Sequence, residues 1–168
     1  MTTLGRIEGE LAQDGMAVFR GVPYAKPPVG ALRFRAPEAM APWAGTREAK
    51  RYGYAAPQDK GLMQDLPEQN EDCLSLNVWT PGTDAKKRAV MVWLHGGSFT
   101  VGSGAQEVYD GSTLAKSGDV VVVTINYRLG ALGFSFLNDV LGASAEVDAN
   151  CGLRDQVAIE VDCAGGVV

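Results

Sequence analysis

Ala89-Val-Met-Val-Trp-Leu-His-Gly-Gly-Ser98 is the stretch that decides the fold of this chain. Its first six residues are apolar, and valine and tryptophan are enriched in β-strands. Glycines directly after a strand let the backbone turn sharply, so that successive N–H groups can point toward one position. Converging N–H groups stabilise the oxyanion that forms when a carboxylic ester is cleaved. The run from His95 to Ser98 therefore predicts half of an ester-hydrolysing site at the end of a strand.

Length and composition indicate one globular domain over residues 1–168. Of the 168 residues, 46% are hydrophobic and 21% are charged, which is usual for a soluble protein. Fifteen basic and twenty acidic residues give a net charge of −5 without a basic tract, so we expect no nucleic-acid partner and no anionic membrane surface as partner. The sequence shows no apolar leader segment and no apolar run long enough to span a bilayer. We therefore expect a cytoplasmic protein.

The first part of the chain predicts a hairpin followed by a long loop. Residues 6–11 and 16–22 alternate between apolar and polar side chains, and Asp14-Gly15 between them is a pair favoured in tight antiparallel turns. From residue 23 to residue 42 five prolines prevent regular structure and favour an extended surface loop. We expect aromatic side chains in and beside this loop to hold it down, namely those of Tyr24, Phe34 and Trp43.

Strands and helices are predicted to alternate in the rest of the chain. Residues 73–79 place leucine and valine at every second position, which predicts a half-buried strand. The runs 89–94 and 119–126 are apolar at nearly every position, which is typical of central strands covered by helices on both faces. Helices are predicted at 112–117, ended by a glycine, and at 152–160. This order predicts an α/β fold.

Several stretches in a fixed order match one enzyme family. They are residues 19–30 (Phe-Arg-Gly-Val-Pro-Tyr-Ala-Lys-Pro-Pro-Val-Gly), 32–34, 71–81 (Glu-Asp-Cys-Leu-Ser-Leu-Asn-Val-Trp-Thr-Pro), 92–99, 121–134 around Asn126-Tyr127-Arg128, and 150–156. The set in this order is highly specific. On these residues the chain resembles the type B carboxylesterases, the α/β-hydrolases that include cholinesterases and p-nitrobenzyl esterases. The resemblance covers residues 5–160. It implies an α/β-hydrolase fold of which this chain would form only the N-terminal part of the central mixed sheet.

The resemblance implies a role for the glycine-rich loop. In proteins similar to this one, the backbone N–H groups that match Gly97 and Ser98, with Gly96 beside them, form part of the oxyanion hole. A further N–H comes from the residue after the nucleophilic serine. The implied activity is hydrolysis of a small carboxylic ester through an acyl-enzyme, without a cofactor or a metal. Arg33 and Glu71 match an ion pair that ties the N-terminal loop to the sheet in this family.

A catalytic triad of nucleophile, acid and base is not found within the 168 residues. His95 is the only histidine, and because it lies in the oxyanion loop itself, we expect its ring to hydrogen-bond nearby backbone instead of acting as a base. A single histidine also excludes zinc sites with two histidines. Ser103 and Ser144 lack the Gly-x-Ser-x-Gly context of a nucleophile and are expected to bond to local backbone. The family's nucleophile, acid and base are expected beyond residue 168.

The three cysteines, Cys73, Cys151 and Cys163, are expected to be small buried side chains. Their number and spacing fit neither a disulfide framework nor a zinc site. Cys73 matches a cysteine that secreted members of the family place in a disulfide. Residues 54–58, where the partner of that cysteine is expected, carry alanine instead. This difference favours a reducing compartment.

Three interpretations of function stay open at the level of sequence. In the first, the chain is of esterase lineage, contributes oxyanion donors and is inactive alone. In the second, it is a non-catalytic binding module. In the third, it is a non-functional gene product, truncated by a premature stop or by a change of reading frame near residue 160. We expect the third to self-associate, because a sheet without its later strands exposes an edge and apolar faces.

Overall fold

The computed structural model describes residues 4–12, 15–59, 65–142 and 146–164. The strands in these residues are β1 (Arg6–Glu8), β2 (Glu10–Leu11), β3 (Ala17–Pro23), β4 (Thr46–Glu48), β5 (Ser75–Thr80), β6 (Val90–Leu94) and β7 (Val121–Ile125). The helices are α1 (Ser112–Gly118), α2 (Gly130–Phe134), α3 (Asn138–Leu141) and α4 (Cys151–Ala164), and there are short 3-10 helices at Gly30–Leu32 and Glu107–Tyr109. The expected organisation as a single domain stays a prediction.

Five of the strands form one mixed sheet in the order β2-β3-β5-β7-β6. The pairs β2/β3, β3/β5 and β5/β7 are antiparallel. The last pair, β7/β6, is parallel, with Leu94 opposite Ile125. Parallel neighbours need a crossover connection, and here the crossover contains α1. The mixed sheet that was predicted is therefore present. Because β6 and β7 run in the same direction, the loops that follow them leave the sheet at the same edge.

The predicted N-terminal hairpin forms only in part. β2 pairs antiparallel with β3, with Glu10 opposite Val18, and Asp14 of the predicted turn lies outside the described residues. Residues 6–8 form a separate strand, β1, which pairs in parallel with β4. The sequence patterns did not predict β4. Gly9 separates β1 from β2, and a side chain there would overlap the Val18 carbonyl, so the chain changes partner at a position that only glycine can occupy.

Two predictions about the burial of strands are wrong. β5 is buried on both faces instead of one, because Leu76 and Val78 belong to the larger apolar cluster and Trp79 belongs to a second cluster on the opposite face. β6 is not a central strand: it ends the sheet, and four of its five residues are exposed. Within the described residues only β7 pairs with it. β7 itself is central and fully buried, as predicted.

Helices cover both faces of the sheet. Ala115 of α1 packs on the Trp79 side, and Ile159 of α4 packs in the larger cluster on the other side. The predicted helices at 112–117 and 152–160 are confirmed within α1 and α4. Gly118 was expected to follow the helix, but it is the last helical residue of α1. The next residue, Asp119, adopts the left-handed conformation, with a φ of 48°. In the described part of the chain, no helix has the length and apolar character needed to cross a bilayer.

The aromatic residues hold the proline-rich loop in place through hydrogen bonds that involve backbone groups. The Tyr24 hydroxyl donates to the carbonyl of Asn126 at 2.8 Å, and the Trp43 indole donates to the carbonyl of Arg6 at 3.0 Å. Phe34 contributes through its own carbonyl, which accepts the N–H of residue 148. The predicted ion pair is also present. Nε and Nη2 of Arg33 donate to the two carboxylate oxygens of Glu71 at 2.6 and 2.7 Å.

Arg128 and Asp155 form a buried ion pair that connects the loop after β7 to α4. Nε and Nη2 of Arg128 donate to the two carboxylate oxygens at 2.8 and 2.6 Å, and its backbone N–H donates to Oδ2 at 3.0 Å. Burial raises the pKa of Asp155, although the hydrogen bonds from Arg128 favour the charged carboxylate. Such pairs add little net stability, but they are costly to break. The pair therefore fixes the position of α4 against the sheet.

Candidate functional site

The candidate site is formed by the loops that follow β6 and β7. Residues 95–98 follow β6 directly, and residues 126–128 follow β7. Since Leu94 lies opposite Ile125 in the parallel register, the two loops begin side by side. The carboxyl ends of parallel strands are where α/β sheets commonly bind ligands.

The glycine-rich loop closes into a tight turn over residues 97–100. The N–H groups of Thr100 and Val101 donate to the carbonyl of Gly97 at 3.0 and 3.1 Å, and the Thr100 hydroxyl donates to the same oxygen at 3.0 Å. The φ angles of Gly97, Ser98 and Phe99 are 114°, 54° and 61°. A positive φ is unusual for a residue other than glycine and is strained for a bulky one. Backbone strain of this kind is concentrated at functional sites.

The turn leaves backbone donors unused. Among the residues that the structure describes, the N–H groups of Gly97 and Ser98 donate to no protein acceptor. Ser98 is exposed and lies at the wall of an open cleft of about 440 Å³. The residues lining this cleft are Ser98, Phe99, Thr100, Gly130, Ala131, Phe134 and Ser135. Two unused N–H groups, one of them on a residue that lines a cleft, can hold an anion or a polarised carbonyl oxygen.

Of the two glycines in the loop, only Gly97 is required by the geometry. A side chain on Gly97 would overlap the carbonyl oxygen of Val101, and its φ lies in the region that favours glycine. Gly96 has no heavy atom within 4 Å of the position that a Cβ would occupy. The backbone therefore leaves no room for a side chain at Gly97, whereas a side chain at Gly96 would meet no other atom.

His95 supports the loop from the inside. Its side chain is only 3% exposed, and Nδ1–H donates to the carbonyl of Gly96 at 2.9 Å, so the predicted bond to nearby backbone is present. The ring stacks on Tyr127 with centroids 4.5 Å apart, and the Tyr127 hydroxyl donates to the His95 carbonyl at 2.9 Å. Burial lowers the pKa of His95, so the ring is neutral at pH 7. Within the described residues no carboxylate hydrogen-bonds this ring, as a base histidine requires.

Asn126 joins three segments around the loop. Its Oδ1 accepts the Ser103 hydroxyl at 3.0 Å and the Gly104 N–H at 2.8 Å, and its Nδ2 donates to the carbonyl of Tyr54 at 2.9 Å. In the sequence, Asn126 is part of a stretch that matches the family, and no role was predicted for it. A polar residue at the end of an apolar strand is the signal that indicates such a role.

Gln58 is a second residue whose role was not predicted, and its side-chain amide hydrogen-bonds the backbone of Gly102. Gln58 lies in an irregular segment, where periodicity gives no signal. The expectation for Ser103 is met, because its hydroxyl bonds Asn126 and accepts the N–H of Ala105 at 3.1 Å. Ser144 lies outside the described residues.

The described cysteines are free and buried, as predicted. Cys73 and Cys151 form no disulfide, and burial raises the pKa of Cys73 to about 12, which keeps it an unreactive thiol at neutral pH. The side chain of Cys163 lies outside the described part of the structure. Within that described part, no group of three His, Cys, Asp or Glu side chains is placed to hold a metal ion.

Solved structures identify the class of protein. The chain superposes on a thermophilic PNB esterase with a TM-score of 0.86 and 44% identity, over 94% of this chain and 33% of that one. A carboxylesterase of Geobacillus stearothermophilus gives a TM-score of 0.83 and 47% identity, over 94% of this chain and 32% of that one. The fold is therefore that of the α/β-hydrolases, as predicted, and this chain contains about a third of it.

Sequence comparison assigns the family. The model of the carboxylesterase family matches residues 1–159, and the chain belongs to this family. It is 45% identical over 161 residues to the para-nitrobenzyl esterase of Bacillus subtilis (strain 168), covering 94% of this chain and 32% of that protein. It is 41% identical over 171 residues to the acetylcholinesterase of Electrophorus electricus, covering 93% of this chain and 26% of that protein. The chain thus spans a third or less of the length of these relatives.

Gly97→Ala is expected to lower the free energy of unfolding by about 2–4 kcal/mol, because steric overlap and a left-handed backbone conformation both oppose the new side chain. Gly96→Ala is the matched control and is expected to change the same quantity by less than about 1 kcal/mol. Urea unfolding monitored by tryptophan fluorescence measures both variants. Equal effects of the two substitutions would contradict the geometry described for the turn.

The stability of the protein is expected to fall at mildly acidic pH because of His95. Its pKa lies below the value of 6.5 for an unperturbed histidine, so the unfolded chain takes up a proton at a higher pH than the folded chain does. The contribution of this residue to the free energy of unfolding is therefore present above about pH 6.5 and is lost as the pH falls toward the folded pKa.

His95→Gln removes this titration, and no other histidine is present in the sequence. The difference in unfolding free energy between the wild type and His95→Gln is expected to shrink as the pH is lowered from about 7.5 to about 5. Urea unfolding of both proteins at a series of pH values measures this difference in unfolding free energy. A difference that stays constant over this range would show that burial does not depress the pKa of His95.

Proposed function

We propose that residues 95–98 form part of the oxyanion hole of a carboxylic ester hydrolase. The N–H groups of Gly97 and Ser98 are the donors, and His95 and Gly96 support them. The observation that carries this proposal is the pair of unused N–H groups in a strained turn beside a cleft, in a chain of the carboxylesterase family. As negative charge develops on the carbonyl oxygen of the ester, these groups stabilise it, and losing one such donor costs about 3 kcal/mol.

The proposed substrate is a small carboxylic ester, and the names of the relatives support this class. The names para-nitrobenzyl esterase and acetylcholinesterase both denote enzymes that hydrolyse esters. The net charge of −5 supports the proposal that neither nucleic acid nor an anionic membrane surface is a partner. The cytoplasmic location is likewise a proposal. It is supported by the free buried thiol of Cys73 and by the buried alanines at positions 55 and 56, which leave that thiol without a disulfide partner in this segment.

We propose that the 168 residues do not hydrolyse esters alone. A serine hydrolase passes the proton of its nucleophile to a histidine that a carboxylate orients. The only histidine of this sequence is His95, and its Nδ1–H is engaged by the carbonyl of Gly96. None of the serines in the sequence has the Gly-x-Ser-x-Gly context. Oxyanion donors without nucleophile and base leave only weak rate enhancement.

The purified chain is expected to hydrolyse p-nitrophenyl acetate and p-nitrophenyl butyrate no faster than buffer does. A fusion in which residues 1–159 replace the matching part of the Bacillus subtilis para-nitrobenzyl esterase is expected to be active. In that fusion Gly97→Pro removes one N–H donor and the positive φ, so kcat is expected to fall by at least about 100-fold. Absorbance of released p-nitrophenol measures all three proteins.

Gly118→Ala in α1, away from the loop, is the control and is expected to leave kcat of the fusion unchanged. A fusion that keeps its activity with Gly97→Pro would rule out the proposed oxyanion role. Turnover by the 168-residue chain itself, if abolished by Gly97→Pro, would instead overturn the proposed inactivity.

A second candidate is a chain that acts without catalysis and self-associates through the edge of β6. Within the described residues the outer edge of β6 has no strand beside it, and most of its side chains are exposed. Unpaired apolar edges favour pairing with another chain. Of the interpretations that the sequence leaves open, the non-functional gene product is the one expected to show this association.

Met91→Lys is expected to shift the protein from an associated form toward monomer, because a lysine on an edge strand opposes strand pairing. Leu114→Lys in α1 is the matched control, since the two side chains are equally exposed, at 46% and 47%. Size-exclusion chromatography with light scattering measures the mass of each. A wild type that elutes as a monomer at all concentrations would dismiss association through β6.

A further inference from the structure

We infer that Gln58 is a positioning residue for the oxyanion loop, an inference that rests on the function proposed for that loop. The side-chain amide of Gln58 forms a closed pair with the backbone of Gly102, 44 residues away. Its Oε1 accepts the Gly102 N–H at 2.7 Å, and its Nε2 donates to the Gly102 carbonyl at 2.8 Å. Nε2 also donates to the carbonyl of Ala56 at 3.0 Å. The Gln58 side chain therefore fixes both the backbone N–H and the backbone carbonyl of Gly102.

Gly102 lies directly behind the start of the oxyanion loop. A Cβ on Gly102 would be 2.5 Å from Nδ1 of His95 and 2.6 Å from the carbonyl oxygen of Gly96. The preceding residue, Val101, places its carbonyl where a side chain of Gly97 would have to lie. Residues 101 and 102 are thus the back wall of the turn that presents the N–H donors. A side chain that fixes Gly102 fixes this wall.

Gln58 is itself held by a frame that does not include β6. Its backbone N–H donates to Oε1 of Gln69 at 3.0 Å, and Ala55 forms a parallel bridge with the same residue. The carbonyl of Tyr54 accepts a hydrogen bond from Asn126 at the end of β7. The segment around Gln58 is therefore anchored both to residues 68–70 and to β7. It can hold Gly102 at a fixed distance from the central strand.

The turn needs such support from outside. Ser98 and Phe99 both have positive φ, and the bonds that close the turn all end on the carbonyl of Gly97. On one side, Gly130 N–H donates to the Phe99 carbonyl at 2.8 Å, and the Phe99 ring contacts Phe134 with centroids 4.8 Å apart. On the other side, Gln58 holds the wall through Gly102. Without Gln58, we expect the strained residues to relax and the N–H groups of Gly97 and Ser98 to change position.

Hydrogen exchange of single backbone amides, followed by NMR on the 168-residue chain, tests the inference. In Gln58→Ala, the amides of Thr100, Val101 and Gly102 are expected to exchange at least about tenfold faster than in the wild type, because the bonds of the turn open together. The amides of Val123 and Thr124 in β7 are expected to be unchanged. Gln58→Glu keeps an acceptor for the Gly102 N–H but loses the amide donors, and it is expected to restore part of the protection.

Gln156→Ala on α4 is the matched control and is expected to leave exchange in the turn unchanged. Acceleration confined to Gly102 would mean that Gln58 makes only a local bond, and the inference would be wrong. Equal acceleration in β7, or failure of both Gln58 variants to fold, would assign Gln58 to general stability and overturn it as well. Since exchange needs no turnover, this result and the outcome of the ester-hydrolysis tests are independent of each other.

Discussion

The parallel pairing of β6 with β7 is the constraint on which the candidate site depends. With Leu94 opposite Ile125, the chain leaves both strands at one edge, and the ring of His95 can stack on Tyr127. A register shift of one residue would turn every side chain of β6 to the other face and separate these rings. The turn that follows His95 takes its position from this pairing. The unused N–H groups of Gly97 and Ser98 therefore depend on a contact made by the strand before them.

Side-chain amides connect the irregular segments around that pairing. Asn126 joins the segments at residues 54 and 103–104, and Gln58 joins its own segment to Gly102. Asn77 in β5 does the same inside the sheet, since its Oδ1 accepts the N–H of Gly21 at 3.0 Å. Loops have few regular backbone partners, and buried polar groups must be satisfied. These three amides meet that requirement and at the same time set the shape of the site.

Local patterns predicted much of the fold, and the errors have physical causes. The apolar run of β7 correctly predicted a buried central strand. The similar run of β6 predicted the same and was wrong, because an apolar pattern reports how a strand can be buried and not whether a neighbouring strand lies beside it. The alternation in β5 predicted one solvent-exposed face, yet Asn77 between the apolar positions is buried, and Gly21 and Thr124 form hydrogen bonds with its side chain. A polar residue in a strand is a poor guide to exposure when hydrogen bonds satisfy it.

The glycine-rich loop, the strand before it and the resemblance to the carboxylesterases could all be recognised from the amino-acid sequence. Turn residues and strand propensities act over a few neighbouring positions, so one sequence is enough to reveal them. The fold was needed to show that β1 pairs with β4, that Gln58 reaches Gly102 and that burial lowers the pKa of His95. Each of these depends on residues brought together from distant parts of the chain or on the exclusion of water. Neither the contacts nor the burial can be derived from the order of residues around one position.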